Sequence, residues 1–219
     1  MKRIVAFGDV HMALSAVEEI PELESADLVI VNGDLTNFGR RQDAEPLIGL
    51  LLSRNPRVLA LHGNLDHGDV EQLLVDRGVS LHSKGRKYGE IGFFGVGGSN
   101  ITPFRTPTEY SEDELRRFLD MGYESVSDCR HHVLVSHTPP LDTAVDRIRT
   151  GAHVGSREVR RFIEEVQPEL CITGHIHEAP GSDLIGRTTV LNPGLLQDSG
   201  WVEIDVTETG LSARLQTWP

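Results

Sequence analysis

Seven side chains able to hold a metal ion recur at one kind of place along this 219-residue chain, at or just beyond the end of a short apolar run. Asp9 and His11 follow RIVAFG (3–8), Asp34 follows DLVIVNG (27–33), and Asn64 follows RVLALHG (57–63), with Asp66 two residues on. His137 closes HHVLVSH (131–137), and His175 and His177 stand in GHIH after ELCITG. The set contains two Asp, one Asn and four His, all oxygen or nitrogen donors. Borderline divalent metals such as Mn, Fe, Zn, Ni or Co favour this mixture. Seven donors exceed one tetrahedral site and suit two ions roughly 3.5–4 Å apart that share a carboxylate. Charge supports the same count. Two dications less the charges of Asp9 and Asp34 leave about plus two for a hydroxide and an anionic substrate. An Asp in place of Asn64 would reduce that charge. Taken singly, each residue has a structural alternative as a turn, a cap or a strand-end histidine. Their joint occurrence, in order and all at strand ends, points to a metal centre.

The apolar runs that must position these residues are 3–8, 27–33, 57–63, 90–97, 131–137, 169–175, 188–194 and 201–206. They are short, rich in Val, Ile and Leu, and closed by Gly or polar residues, as strands covered on both faces are. Helical spacing lies between them at 12–24, 41–54 and 68–77. Further helices follow Ser111, with Glu114 completing a capping box, and Ser156, the second of them ending at Pro168. The alternation predicts an α/β layered fold, finishing in antiparallel strands without a helix from about residue 183. If the five donor-bearing strands lie side by side and parallel, their ends converge on one crevice. Residues 97–110 (GGSNITPFRTPTEY) have no periodicity and read as a long ordered loop, a kind that is often functional. No repeat or linker divides the chain, so a single domain over 1–219 is expected.

Hydrophobic residues make up 38 % of the chain and charged ones 25 %, an ordinary globular composition. No apolar run is long enough to span a membrane, and the N-terminal run is too short for a signal-peptide core, so a cytoplasmic location is expected. The net charge of −12 argues against coating nucleic acid or an anionic membrane. KGRK (84–87) is a small basic patch that reads as a solvated turn, so a nuclease reading has little behind it. The expected partner is a small phosphorylated substrate, drawn by the local positive charge of bound metal, while assembly into a homo-oligomer is left open. Cys129 and Cys171 are the only cysteines, and Cys171, inside an apolar run, reads as a buried structural thiol.

With these residues in hand, the sequence resembles the calcineurin-like metallophosphoesterase superfamily. The matching motifs are Asp9-Val10-His11, Gly33-Asp34, Gly63-Asn64-Leu65-Asp66, His137 and Gly174-His175-Ile176-His177. The segment from His137-Thr138-Pro139-Pro140 to GHIHE looks most like the Icc-related prokaryotic phosphoesterase branch. The resemblance implies an α/β fold of two packed mixed β-sheets flanked by helices. It also implies that Asp9, His11 and His177 hold one divalent ion, that Asn64, His137 and His175 hold the other, and that Asp34 bridges. Hydrolysis would then proceed by in-line attack of a metal-activated hydroxide on phosphorus, on small phosphodiesters, nucleotides or monoesters.

One position departs from the family pattern. Leu65 stands where many relatives carry a His that protonates the leaving group or holds the phosphate, and leucine does neither. His67 is the nearest replacement and reads as the start of a solvent-facing helix. His153, in the Gly-flanked loop GAHVGS, is the candidate catalytic side chain that approaches the site. Asp66, named with it, reads as support for its neighbours or as a helix cap. Arg105 is a weaker candidate phosphate clamp. A non-catalytic metal-binding or scaffold module of the same fold is the competing reading, and Leu65 is its support.

Overall fold

The computed structural model describes residues 2–207 and 210–218. In chain order the elements are β1 (Arg3–Gly8), α1 (Leu14–Glu18), β2 (Leu28–Asn32), α2 (Arg41–Arg54), β3 (Val58–Leu61), α3 (Gly68–Asp76), β4 (Gly85–Tyr88), β5 (Ile91–Val96), β6 (Ser99–Asn100) and β7 (Glu109–Tyr110). They continue with α4 (Glu112–Glu124), β8 (His131–Ser136), α5 (Arg157–Val166), β9 (Leu170–Ile172), β10 (Gly181–Ile185), β11 (Thr188–Asn192), α6 (Leu196–Ser199), β12 (Trp201–Thr207) and β13 (Gly210–Gln216).

The strands form two mixed sheets, ordered β13-β12-β1-β2-β3 and β10-β11-β9-β8-β5-β4. Side-chain alternation along each strand builds the layers. In β1, Ile4 and Ala6 face the other sheet and meet Phe93, Val133 and Ile172, while Val5 and Phe7 face α1, α2 and α3. On the second sheet Phe94, Leu134 and Cys171 turn outward onto Leu115 and Leu119 of α4 and Phe162 of α5. The result is helix, sheet, sheet, helix, which explains why the central strands are apolar on both faces. Cys171 is buried and Cys129 partly exposed, both as free thiols.

Several sequence expectations need correction. The donor-bearing strands do not share one sheet: β1, β2 and β3 lie parallel in the first, and β8 and β9 lie parallel in the second. The helix expected over 12–24 covers only Leu14–Glu18, because Pro21 disfavours helical backbone before it; Ile20 and Leu23 still bury themselves through turns. The KGRK patch is not a turn but part of β4, an edge strand antiparallel to β5. The closing segment contains the short α6, and β11 runs parallel to β9. Loop 97–110 is pinned at its ends, where β6 pairs parallel with β7.

The helix caps match the sequence reading. Ser111 Oγ accepts the Glu114 amide at 3.3 Å, and the Glu114 carboxylate accepts the Ser111 amide at 2.9 Å. Ser156 Oγ accepts the Val159 amide at 3.1 Å, and α5 stops at Gln167, whose φ of 55° is left-handed, one residue before Pro168. Among the described residues, no helix is long and apolar enough to cross a membrane.

Candidate metal centre

The ends of β1, β2, β3, β8 and β9 meet along one edge of the sandwich, and the residues just past them hold one another in place. The Asp9 amide donates to Gly33 O at 3.0 Å, the His11 amide to Asp34 O at 2.9 Å, and the Gly174 amide to His137 O at 3.1 Å. Asn32 ties the two sheets, its Nδ2 donating to Ser136 O and Ile172 O at 3.4 and 3.5 Å. The turns are tight enough that Asp9, His11, Asp34 and His175 all have positive φ, between 45° and 66°. Such backbone is costly for residues other than glycine and clusters at functional sites. Two glycines make the approach possible. A Cβ on Gly63 would collide with Asp34 Oδ1 and its amide, and one on Gly33, itself at φ +79°, would strike the His137 ring.

Within this frame the donor atoms of Asp9, His11, Asp34 and His177 lie within 4.8 Å of one another. His177 Nε2 is 3.0 Å from Asp9 Oδ1 and 3.1 Å from His11 Nε2. Asn37 Oδ1 accepts from His11 Nδ1 at 2.7 Å, which leaves His11 Nε2 directed at the group. Two imidazole nitrogens and two carboxylates aimed at one point form a donor set that fits a divalent cation.

A second set lies on the far side of Asp34. His137 Nε2 is 3.5 Å from Asp34 Oδ1 and 3.2 Å from Asn64 Oδ1, and the rings of His137 and His175 are 5.4 Å apart. His137 donates from Nδ1 to Asn32 O at 2.9 Å, so its tautomer is set by the backbone and Nε2 faces Asp34. The two oxygens of Asp34 thus divide between the sets, Oδ1 toward His137 and Oδ2 toward His11, 3.9 Å away. The His175 amide donates to both oxygens of Asp9, at 3.2 and 3.1 Å.

The electrostatics follow from this crowding. Burial opposes charge on Asp34, but His137, His11 and the Leu65 amide outweigh it and hold the carboxyl down at about 2. Burial likewise opposes charge on His137, yet Asp34, Asp9 and the Asn32 carbonyl lift it to about 9. For His175, burial and the neighbouring His137 push the imidazole down to about 4. His177 is raised, because Asp9 and Asp34 overcome its burial.

The remaining sequence candidates take distinct places. Asp66 is fully buried and accepts four donors: Leu35 N at 3.0 Å, Thr36 N at 2.9 Å, Thr36 Oγ1 at 2.7 Å and Gly63 N at 2.8 Å. Burial and the nearby Asp34 push its carboxyl up, while the Gly63, Thr36 and Leu35 donors pull it back. This geometry is that of the supporting neighbour the sequence suggested for Asp66. With its acceptor capacity taken up by the loops after β2 and β3, it positions Asp34 and Asn64. Leu65 uses its backbone, its amide donating to Asp34 Oδ1 at 2.9 Å. His67 is the N-cap residue of α3 and makes no side-chain cap. Arg105 is exposed, on left-handed backbone.

His153 lines a cavity of about 610 Å³ together with Asn64 and His175. Its Nδ1 is 2.6 Å from Oδ1 of the fully buried Asp146. Asn100 fixes this loop against the metal-site side: it accepts from Thr138 Oγ1 at 2.7 Å and donates to Val154 O at 3.1 Å. A second cavity, of about 420 Å³, adjoins it, sharing Ile148, His175, Ile176 and Glu178 and reaching His177. Sequence reasoning missed Asn32, Asn37, Asn100 and Asp146. Asn32 carried a signal, a polar residue inside a buried run; the other three lie in stretches without periodicity.

Two mixed sheets with carboxylate, imidazole and amide donors gathered at their strand ends define a metallophosphoesterase architecture. The chain belongs to the calcineurin-like phosphoesterase family, whose model matches residues 2–179. It is 37 % identical over 196 residues to an uncharacterized protein of Methanocaldococcus jannaschii, covering 87 % of each chain. Among solved structures it is similar to a protein of Thermus thermophilus, with a TM-score of 0.71 at 17 % identity, covering 98 % of both chains. It is also similar to a dimetal phosphatase of Danio rerio, with a TM-score of 0.67 at 11 % identity, covering 99 % of this chain and 96 % of that one. At such identities the structural likenesses bear on the fold.

Proposed function

We propose that this chain is a dinuclear metal-dependent hydrolase of phosphate esters, acting on small phosphodiesters or nucleotides. The observation that carries the reading is the division of Asp34 between two donor sets, Asp9, His11 and His177 on one side and Asn64, His137 and His175 on the other. In this reading each set holds one ion and Asp34 bridges them. Divalent ions bound there supply Lewis acidity that activates water near neutral pH and neutralises charge on phosphoryl oxygens. Mn, Fe, Zn, Ni and Co all suit these donors.

The protein's own groups do the rest. Asn64 contributes an oxygen without adding negative charge, which preserves attraction for an anionic substrate. Asp66 keeps Asp34 and Asn64 in register through the Gly63, Leu35 and Thr36 donors. His153, its Nδ1 held by Asp146, would in its doubly protonated form hand the Nε2 proton to the leaving oxygen, the task Leu65 cannot perform. Two adjoining cavities that share His175 leave room for both substituents of a diester.

The test is hydrolysis of bis(p-nitrophenyl) phosphate and p-nitrophenyl phosphate by chelator-stripped protein with Mn, Ni, Zn, Co or Mg restored, alongside metal content. The expected result is metal-dependent turnover, faster on the diester, with two ions per chain and loss of both ions and turnover in Asp34→Ala. A competing reading is favoured by Leu65 alone: a metal-binding module without catalysis. Stoichiometric metal with no turnover on either ester would establish that reading instead.

A further inference from the structure

The cavity beside Asn64 and His175 has a composition unlike the centre it adjoins. Its outer wall comes from loop 97–110, where Ile101, Pro103 and Phe104 line it, and Ile101 and Phe104 are 70 % and 82 % exposed. The facing wall is Leu141, Ile148 and Val154, and Ile176 joins His175 at the base. Exposed apolar side chains that adjoin one another at the rim of a cavity mark a ligand-binding groove, unlike those scattered singly over a surface. A cavity of about 610 Å³ suits a small organic group.

The polar lining is already committed elsewhere. Asn100 is engaged at both ends of its amide, by Thr138 and Val154. Thr102 Oγ1 donates to Glu109 at 2.6 Å. Glu112 accepts Ser156 Oγ at 2.6 Å and the Glu158 amide at 3.0 Å, and Glu178 pairs with Arg149 at 2.9 Å. Hydrogen bonding therefore offers an occupant little to be read by. Glu178 is paired with Arg149 and Glu112 shares the lining with Arg157, so the cavity has no excess positive charge to draw a second anionic group.

We infer that this cavity is the leaving-group subsite and that it selects phosphate esters of uncharged, ring-sized apolar alcohols, over esters whose leaving group is polar or carries another phosphate. The inference rests on the phosphoesterase reading and narrows its substrate class. His153 lies within the same cavity, so an apolar group seated there places its ester oxygen beside the proton source that Asp146 orients. No hydrogen-bond pattern for a nucleobase is needed or provided.

Two measurements test this on the full chain loaded with Mn. The first compares kcat/KM for methyl benzyl phosphate and methyl 2-methoxyethyl phosphate, whose leaving alcohols are of similar acidity. Burying a ring should favour the benzyl ester by about tenfold or more. The double variant I101N/F104S alters only exposed side chains, so folding is spared, and it should bring the ratio toward one. The second measurement is calorimetric binding of benzylphosphonate against methylphosphonate, with the benzyl compound expected to bind at least about tenfold more tightly. Equal binding and equal kcat/KM, or a benzyl preference that survives I101N/F104S, would overturn the subsite. Absence of turnover with every ester and metal would defeat the phosphoesterase reading, while the phosphonate comparison would still decide the subsite.

Discussion

Asp34 presents one oxygen to His137 and the Leu65 amide and the other to His11, so a single side chain couples both donor sets. Its neighbour Leu65 removes a proton donor from the place where the family often has one. The prediction that follows concerns His153. His153→Ala should lower kcat on alkyl phosphodiesters by about 10²- to 10⁴-fold while changing p-nitrophenyl diesters little, because p-nitrophenolate leaves without protonation. Asp146→Asn should lower kcat on alkyl phosphodiesters but not on p-nitrophenyl diesters, without altering metal content, which separates orientation of His153 from loss of fold. A different histidine governs acid stability. His82 is buried, stacks on Tyr110 with ring centroids 5.5 Å apart, and accepts the Gly97 amide on Nδ1 at 3.1 Å, a bond only the neutral ring makes. Burial, aided by His62, pushes it down to about 3. The unfolded chain, with a histidine pKa of about 6.5, then binds the extra proton, so stability is full above that pH and falls as pH drops toward 3. Unfolding free energies from urea titrations between pH 7 and pH 4 should decline by up to about 1.4 kcal/mol per pH unit from this group, and His82→Gln should flatten that decline.

At the scale of elements, the centre depends on strand ends that approach one another more closely than side chains allow. Gly63 and Gly33 sit where a Cβ would collide with Asp34 and His137. Asp66, in the loop after β3, then holds the loop after β2 through three hydrogen bonds and closes its own loop through a fourth, from the Gly63 amide. Asp66→Ala should destabilise the fold by about 3 kcal/mol or more, since buried donors lose a charged acceptor, and should weaken metal affinity at least about tenfold. The caps provide a contrast. Ser111→Ala removes one N-cap bond on α4 and should cost about 1 kcal/mol in denaturant unfolding, with metal affinity unchanged. If both variants affected metal affinity equally, the coupling of Asp66 to the centre would be wrong. What was readable in the sequence at this scale follows the same division. The capping box and the central strands were legible because they carry local signals: Ser111 three residues before Glu114, and unbroken apolar runs. β4, β10 and β13 were not, because GRKY, GSDLI and GLSARLQ are edge strands whose exposed polar residues imitate loops.

For the molecule as a whole, a net charge of −12 surrounds a centre that gathers buried carboxylates. Divalent ions held by these donors would relieve that repulsion in the folded state and would have no equivalent site in the unfolded chain. Free metal at about 100 times its dissociation constant contributes about 2.7 kcal/mol, so chelation should lower the melting temperature by about 5–10 °C for a chain of this size. Scanning calorimetry before and after chelation checks this, and an unchanged melting temperature would mean that the donors do not hold metal in the folded protein. The sequence by itself determined the donor types, their order and their placement at strand ends. Those features are local: a buried strand must stop where it reaches the surface, and the polar residue found there can be read directly. The family resemblance already implied two packed sheets; only the tertiary structure decided which strands join which sheet, because apolar runs covered on both faces look alike whichever sheet they join. It likewise decided that Asp146 holds His153 beside an apolar cavity, since that pairing joins loop residues whose spacing carries no period and whose partners are chosen by packing.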